Sequence, residues 1–133
     1  MENLRDFLSA AHTVAVLGAN PRPQKPAFFV PDYLHRAGYR VLPVNPVHVG
    51  ERLWGEPIVS SLTEIAEPID IVDVFRRSEV LPDHLDDILA AKPKLVWLQS
   101  GILNDPFAER LRAAGIEVIQ DRCLMVEHRR MLG

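Results

Sequence analysis

The sequence has few of the features that mark disulfide-rich, metal-binding, membrane-spanning or nucleic-acid-binding proteins. It contains one cysteine, which excludes an internal disulfide and a multi-cysteine metal site. Its five histidines show neither HxH nor HExxH spacing, so we expect no metal centre. No apolar run approaches the roughly 20 residues that cross a bilayer. The 15 basic and 18 acidic residues form no basic stripe, which argues against nucleic acid as the main partner.

The remaining composition is ordinary for a globular protein. Of the 133 residues, 47% are apolar and 25% are charged, which disfavours disorder. This length predicts a single domain, residues 1–133, with its own core. The chain begins MENLRD, which has neither the basic start nor the apolar segment of a signal peptide. We therefore expect a cytoplasmic protein.

Short apolar runs alternate with helical patterns along the chain. The predicted strands are residues 14–17, 41–44, 69–75, 95–98 and 117–119, with a shorter strand around 58–59. The predicted helices are residues 2–11, 28–37, 79–91, 105–114 and a charged terminal helix at 126–130, with a helical turn at 62–66. The strands are apolar on both faces, as in a parallel sheet covered by helices on each side. The pattern predicts an α/β fold with a doubly wound, mostly parallel sheet.

In such a sheet, ligands bind outside the carboxyl ends of the strands, near the switch in strand order. The residues directly after each predicted strand are therefore the candidates for a binding site. They fall in the segments GANP (18–21), PVNP (43–46), FRRS (75–78), QSGI (99–102) and DRC (121–123).

The first of these loops begins like a nucleotide-binding corner and then departs from that pattern. In TVAVLGANPRPQKPAFFVPDYL, residues 13–34, the strand reaches Gly18 and four prolines follow. A dinucleotide site uses three glycines here and an acid at the end of the second strand, and this chain has neither. Backbone N–H groups at a helix start still attract anions, although each proline removes one donor. The loop therefore predicts a rigid anion site rather than an NAD site.

Five motifs, taken together and in order, resemble those of the small stand-alone CoA-binding proteins. They are VAVLGANPRP, GYRVLPVNP, PIDIVDVFRRSE, LVWLQSGI and DRCLMVEHRR, spread over residues 14–130. Proteins of this kind are similar to the CoA-binding domain at the start of the succinyl-CoA synthetase α subunit. The resemblance implies a Rossmann-like domain that holds coenzyme A, or an acyl-CoA, across the strand ends.

The resemblance also implies which residues contact coenzyme A. The loop that meets the phosphates is matched by Gly18, Ala19, Asn20 and Pro21. The turn that borders the adenosine is matched by Pro43, Asn45 and Pro46. The third motif is matched by Phe75 and Arg76, and the fourth, where the pantetheine arm would run, by Gln99, Gly101 and Ile102. The last motif is matched by Asp121 and Cys123.

The first loop departs from the family pattern at two positions. Asn20 and Ala27 stand where relatives often carry serine, and Ala27 can neither donate to a phosphate nor cap the helix. Arg22 and Lys25 lie in the same loop and are the cations expected to compensate. His48 stands near a position where relatives carry a cation, so a contact there would depend on pH.

Several candidates have a structural alternative. Asn20, Asn45 and Gln99 could each bond to backbone instead of a ligand. The two consecutive arginines after the third strand could pair with acids near Glu79, and we favour the first, Arg76, for the ligand. Cys123 is either an inert, half-buried side chain or a thiol able to form a mixed disulfide with CoA.

The two tryptophans are expected to differ in role. Trp97 belongs to an apolar strand and is expected in the core, whereas Trp54 lies in a loop where it could stack on a ring.

The sequence thus predicts a CoA-binding protein with no catalytic or metal residues of its own. A protein partner stays open, as do two alternatives. One is an NAD(P)- or acyl-CoA-dependent enzyme, and the other is an interaction module with a vestigial nucleotide site. We also expect Gly18→Val to abolish CoA binding while leaving the protein folded.

Overall fold

The computed structural model of the chain describes residues 3–133. The strands of its main sheet are Thr13–Leu17 (β1), Arg40–Val44 (β2), Ile71–Val74 (β5), Leu95–Leu98 (β6) and Glu117–Ile119 (β7). Two further strands, Arg52–Leu53 (β3) and Glu56–Pro57 (β4), form a separate antiparallel hairpin. The main sheet is parallel throughout and has the order β2-β1-β5-β6-β7.

Helices cover both faces of this sheet. They are Leu4–Ala10 (α1), Pro26–Arg36 (α2), Leu85–Ala91 (α3), Asp105–Ala113 (α4) and Leu124–Leu132 (α5). Leu8, Leu34 and Leu124 bring α1, α2 and α5 onto one face, and Ile88 and Leu111 bring α3 and α4 onto the other. The predicted doubly wound, Rossmann-like α/β fold is therefore confirmed. Across residues 3–133, every helix is too short or too polar to traverse a lipid bilayer.

The helix predicted at residues 79–91 is only partly α-helical. Its first half, Ser78–His84, is a 3₁₀ helix, and α3 begins at Leu85. Pro82 lies inside the 3₁₀ segment, where it lacks an N–H group and disfavours the α conformation of the residue before it. The apolar pattern alone therefore predicts a longer α-helix than the structure contains.

The region between β2 and β5 is less regular than predicted. The expected strand at residues 58–59 is a single parallel bridge between Val59 and Val44. The β3–β4 hairpin was not anticipated. Its turn contains Trp54 and Gly55, both with positive φ, and the Trp54 ring packs against Phe28 with 5.9 Å between centroids. The start of the predicted leading helix, at Glu2, lies outside the described residues.

The strand order determines where a ligand can bind. From β1 the chain runs to β2 on one side and then returns to β5 on the other side of β1. The switch in strand order therefore lies between β1 and β5, and the crevice at their carboxyl ends is the expected binding position in this architecture.

Candidate functional site

A groove of about 790 Å³ lies at the carboxyl ends of β1, β5 and β6. Its walls come from the loop after β1, the first turn of α2, and the segments after β5, β6 and β7. The predicted residues that line it are Gly18, Asn20, Lys25, Asn45, Phe75, Arg76, Gln99, Gly101, Ile102 and Cys123. Most of the candidate residues therefore meet in this groove, as the position of the strand ends predicts. Their contacts with a ligand stay predictions.

Besides Asp121, which is described below, five predicted residues lie outside the lining of this groove. Ala19 and Pro43 are buried, and Pro43 sits within the edge strand β2, where a proline is tolerated. Pro21 is partly buried and Arg22 is exposed in the loop after β1. Pro46 lines a smaller cavity next to the groove.

Gly18 is required by the fold at the point where β1 and β5 end side by side. Its φ is +92°, and a Cβ there would lie 2.8 Å from the carbonyl oxygen of Phe75 and 3.2 Å from the Arg76 Cδ. A side chain would therefore push into the backbone that follows β5. Gly18→Val would strain the switch point itself, and the expectation that this variant stays folded remains a prediction. Loss of CoA binding in it would not separate a ligand contact from a change in the fold.

Asn20 and Gln99 present amide donors to the groove. Asn20 Oδ1 accepts a hydrogen bond from the Arg22 N–H at 2.9 Å, and Gln99 Oε1 accepts one from the Leu124 N–H at 3.2 Å. Each bond identifies the oxygen of its amide, because a backbone N–H requires an acceptor. The two amide nitrogens have no acceptor among residues 3–133. Both side chains line the groove, so their NH₂ groups are available to a ligand.

Asn45 has the structural role that the sequence left open. Its Oδ1 accepts from the Val47 N–H at 2.9 Å and its Nδ2 donates to the Ala19 carbonyl at 2.8 Å. Both ends of the amide are thus used inside the protein. Asn45 ties the turn after β2 to the loop after β1 and holds one wall of the groove.

The amino-terminal end of α2 points a partial positive charge at the groove. Lys25, Pro26 and Ala27 line the cavity at this end, and Lys25 is an N-cap without a side-chain hydrogen bond. The Ala27 N–H has no acceptor in the described part of the chain. A helix start with a free N–H favours an anion. Because the N-cap residue, Lys25, supplies no side-chain acceptor, this donor is free.

Three cationic side chains line the groove without an acidic partner. Lys25, Arg76 and Arg77 form no salt bridge within residues 3–133, and Glu79 is the one acidic side chain in the described lining. The alternative in which the arginines pair with acids near Glu79 is not what the structure shows. Arg77, which the sequence analysis ranked below Arg76, lines the groove as well.

Arg76 also lines a second cavity, of about 200 Å³, on the other side of Gly18. Its Nε donates to His84 Nε2 at 3.3 Å. Burial lowers the pKa of His84, and the Arg76 charge lowers it further. His84 is not apparent as a site residue from the sequence, because it lies eight residues beyond Arg76 in a segment whose pattern predicts an ordinary helix.

The far end of the groove is formed around Cys123. This residue is the N-cap of α5 and is partly buried, and its thiol forms no hydrogen bond among the described residues. Asp121 does not line the groove. Its Oδ1 accepts from the Gly101 N–H at 2.7 Å and shapes the loop after β6.

The two tryptophans are placed outside the groove lining. Trp97 is fully buried, as predicted, and donates from Nε1 to the Arg122 carbonyl at 2.8 Å.

His48 pairs with Glu51 at 3.0 Å on the exposed turn after β2.

The chain is similar to a described protein family and to several individual proteins. The family described as CoA binding domain matches residues 12–129. The uncharacterized protein YneT of Bacillus subtilis (strain 168) is 39% identical over 125 residues, which cover 94% of this chain and 91% of that protein.

Two solved structures illustrate the range of structural similarity. The structure of cell-free ID.343 from Thermus thermophilus has 56% identity and a TM-score of 0.96, and the match covers 97% of this chain and 96% of that one. The dinucleotide-forming acetyl-coenzyme A synthetase 1 of Ca. Korarchaeum cryptofilum has 19% identity and a TM-score of 0.75. That match covers 90% of this chain and 27% of the synthetase. The second similarity is one of fold.

Proposed function

The chain belongs to the family of CoA binding domains, and from that premise we propose that it binds coenzyme A or an acyl-CoA in the groove at the strand ends. The observation that carries the proposal is the set of unpaired donors in one groove. Lys25, Arg76 and Arg77 have no acidic partner among the described residues, and the start of α2 faces the same space. CoA carries three phosphate groups, which such donors bind.

The rest of the groove fits the neutral part of the ligand. Phe29, Phe75 and Ile102 supply apolar surface, and the Gln99 NH₂ lies among them as a donor for an amide carbonyl. We place the phosphates at Lys25 and the arginines, and the pantetheine arm along Phe75 and Gln99. The thiol or acyl end of the ligand would then lie towards Cys123, the residue that could form a mixed disulfide with CoA under oxidation.

The proposal is for binding rather than catalysis. The serines and the cysteine that line the groove form no hydrogen bond to a histidine or a carboxylate within residues 3–133. Most of the charged and amide groups that line the groove are donors, with Glu79 the exception in the described lining, and such donors suit the holding of an anionic ligand. A cytoplasmic location is part of the proposal and agrees with the use of a single cysteine.

Thermal unfolding with matched ligands tests the proposal. At one hundred times its Kd, CoA stabilises the fold by about 2.7 kcal/mol, which raises Tm by several degrees in a domain of this size. We expect this rise with CoA, a smaller rise with dephospho-CoA, and little change with NAD⁺ at the same concentration. No rise with CoA would contradict the proposal and favour an interaction module with a vestigial site. A preferential response to NAD⁺ would favour a nicotinamide-dependent enzyme.

Gln99→Glu provides a sharper test of the site. The glutamate keeps an oxygen acceptor for the Leu124 N–H and replaces the free NH₂ donor by a carboxylate that faces the groove. We expect CoA and pantetheine each to bind about tenfold more weakly or worse, measured by calorimetric titration. Arg110→Ala changes the net charge by the same amount on exposed α4 and should leave both affinities unchanged. Equal affinities in the Gln99→Glu variant and the wild type would remove Gln99 from the site.

A further inference from the structure

The wall between the groove and the second cavity is formed in part by one arginine held by one histidine. Gly18, Asn45 and Arg76 line both spaces, and Arg76 is partly buried between them. Its Nε donates to His84 Nε2, and no other protein acceptor contacts its guanidinium in the described residues. His84 lines only the second cavity. The imidazole therefore contacts the ligand-facing arginine from behind, out of reach of the groove itself.

We propose that His84 is a positioning residue for Arg76 and that its neutral imidazole makes ligand binding in the groove dependent on pH. This inference rests on the proposed function, in which Arg76 contacts the phosphates of CoA. An arginine can only donate, so His84 must offer a lone pair at Nε2 and carry its proton on Nδ1. A protonated imidazole has no lone pair to offer and places a second positive charge against the guanidinium.

The charged groups around His84 define the direction of the effect. They are Arg76 from the end of β5, Asp83 from the same 3₁₀ segment, and Asp87 from α3. Burial and Arg76 lower the pKa of His84, whereas Asp83 and Asp87 raise it, and the balance lies below the ordinary value of 6.5. The neutral form therefore dominates at neutral pH, and the bond to Arg76 is lost on acidification.

Asp87 is itself held in place and cannot easily replace His84 as the acceptor. Its Oδ2 accepts from the Ser61 hydroxyl at 2.9 Å, which ties α3 to the turn before the 3₁₀ helix Leu62–Glu64. Protonation of His84 removes the acceptor that holds the Arg76 guanidinium and places a like charge beside it. The guanidinium would then no longer be held in one position at the groove, and binding of an anion there would weaken.

Affinity measured against pH in two proteins tests the inference. Dephospho-CoA is the probe, because it lacks the terminal phosphate whose own pKa near 6 would complicate the profile. We expect wild-type Kd to rise between pH 7.5 and pH 5.5, by less than about tenfold because the pKa of His84 lies below its ordinary value and part of the imidazole stays neutral at pH 5.5. His84→Gln keeps a side-chain oxygen that can accept from Arg76 but does not titrate, so its Kd should stay near the wild-type value at pH 7.5 and change by less than about twofold. His35→Gln, in the exposed last turn of α2, should keep the wild-type profile.

The outcomes separate this inference from the function on which it rests. Failure of the wild type to bind CoA or dephospho-CoA at pH 7.5 overturns the proposed function and this inference with it. Binding with the same pH ratio in wild type and His84→Gln overturns the inference alone, as does wild-type affinity that rises on acidification. A nitrogen-detected NMR spectrum of the wild type supplies a check that needs no variant. The Nδ1–H tautomer of His84 supports the inference, and the Nε2–H tautomer overturns it.

Discussion

At Gly18, the backbone conformation and a neighbouring carbonyl leave no room for a side chain. Gly50 has a similar positive φ, +99° against +92°, but a Cβ there would meet nothing within 4 Å. The pair therefore separates the cost of the backbone conformation from the cost of the close approach between β1 and β5.

We predict that Gly18→Ala destabilises the protein substantially more than Gly50→Ala. Gly50→Ala should cost about 1 kcal/mol for its positive φ alone. Gly18→Ala should cost about 2–4 kcal/mol, since the Cβ lies 2.8 Å from the Phe75 carbonyl oxygen and backbone must move. Chemical denaturation of both variants measures the difference. Equal losses of stability would mean that the backbone after β5 moves aside at little cost, and that the switch point is not closely packed.

Individual amide groups also differ in what they can do. Asn45 is bonded at both ends to backbone, while Asn20 and Gln99 are bonded at one end and present the other to the groove. The residue type is similar in each case. The number of internal partners decides whether the side chain braces the protein or is free for a ligand.

At the scale of elements, two aspartates in opposite environments lie in and just before β5. Asp70 precedes the strand and accepts from the N–H groups of His12 and Thr13 at 2.7 and 3.0 Å. Burial raises the pKa of Asp70, but these bonds and Lys94 outweigh it and the pKa is lowered. Asp73 lies inside the strand between Val16 and Trp97 and is fully buried, and neither oxygen of its side chain has a hydrogen-bond partner among residues 3–133. Burial raises the pKa of Asp73 well above its usual value.

Asp73 should make the fold less stable as the pH rises. The folded protein keeps the Asp73 proton, whereas the unfolded chain loses it above a pKa of about 3.9. The unfolding free energy should therefore fall by about 1.4 kcal/mol per pH unit above that point, until the folded-state pKa is reached. Asp73→Asn lacks this titration, so its stability relative to the wild type should increase as the pH rises above about 4, until the folded-state pKa of Asp73 is reached.

Denaturation of both proteins across that pH range measures the effect. Groups such as Asp70, whose pKa is lowered, lose their stabilising contribution on acidification, but they are common to both proteins and cancel in the comparison. Parallel curves would show that Asp73 is solvated or paired in solution. Phe75 lines the groove and lies two residues after Asp73, on the same side of the extended chain. Entry of water at Asp73 would therefore also affect the groove next to Phe75.

At the scale of the whole molecule, we predict one cooperative unfolding transition. The five strands form one continuous sheet, and the cores on its two faces share the strands β1, β5 and β6. Loss of either core should therefore expose the other. Far-ultraviolet circular dichroism and tryptophan fluorescence, with Trp97 in the core, should give the same midpoint. Separate midpoints would show that the chain contains two units, contrary to the single domain predicted for residues 1–133.

Local patterns in the sequence were enough to predict the elements that built the sheet. Buried apolar runs located the five main strands to within a few residues. Helical patterns, with glycines at some of their ends, located four of the five helices. Because the strands are parallel, their carboxyl ends meet at one edge, so the candidate site could be located before any contact was known. The β3–β4 hairpin was missed, since its strands are two residues each and its turn depends on Trp54 adopting positive φ.

The sequence by itself determined the element order, the α/β class and the edge of the sheet at which the candidates gather. Tertiary structure alone decided which groups face the groove and which are used internally. Gln99 meets Leu124 across 25 residues, and Asn45 meets Ala19 across 26. Such bonds depend on how distant segments pack, and periodicity along the chain carries no information about them. The same holds for the isolation of Asp73 and for the bond between Arg76 and His84, because each depends on what neighbouring elements bring close.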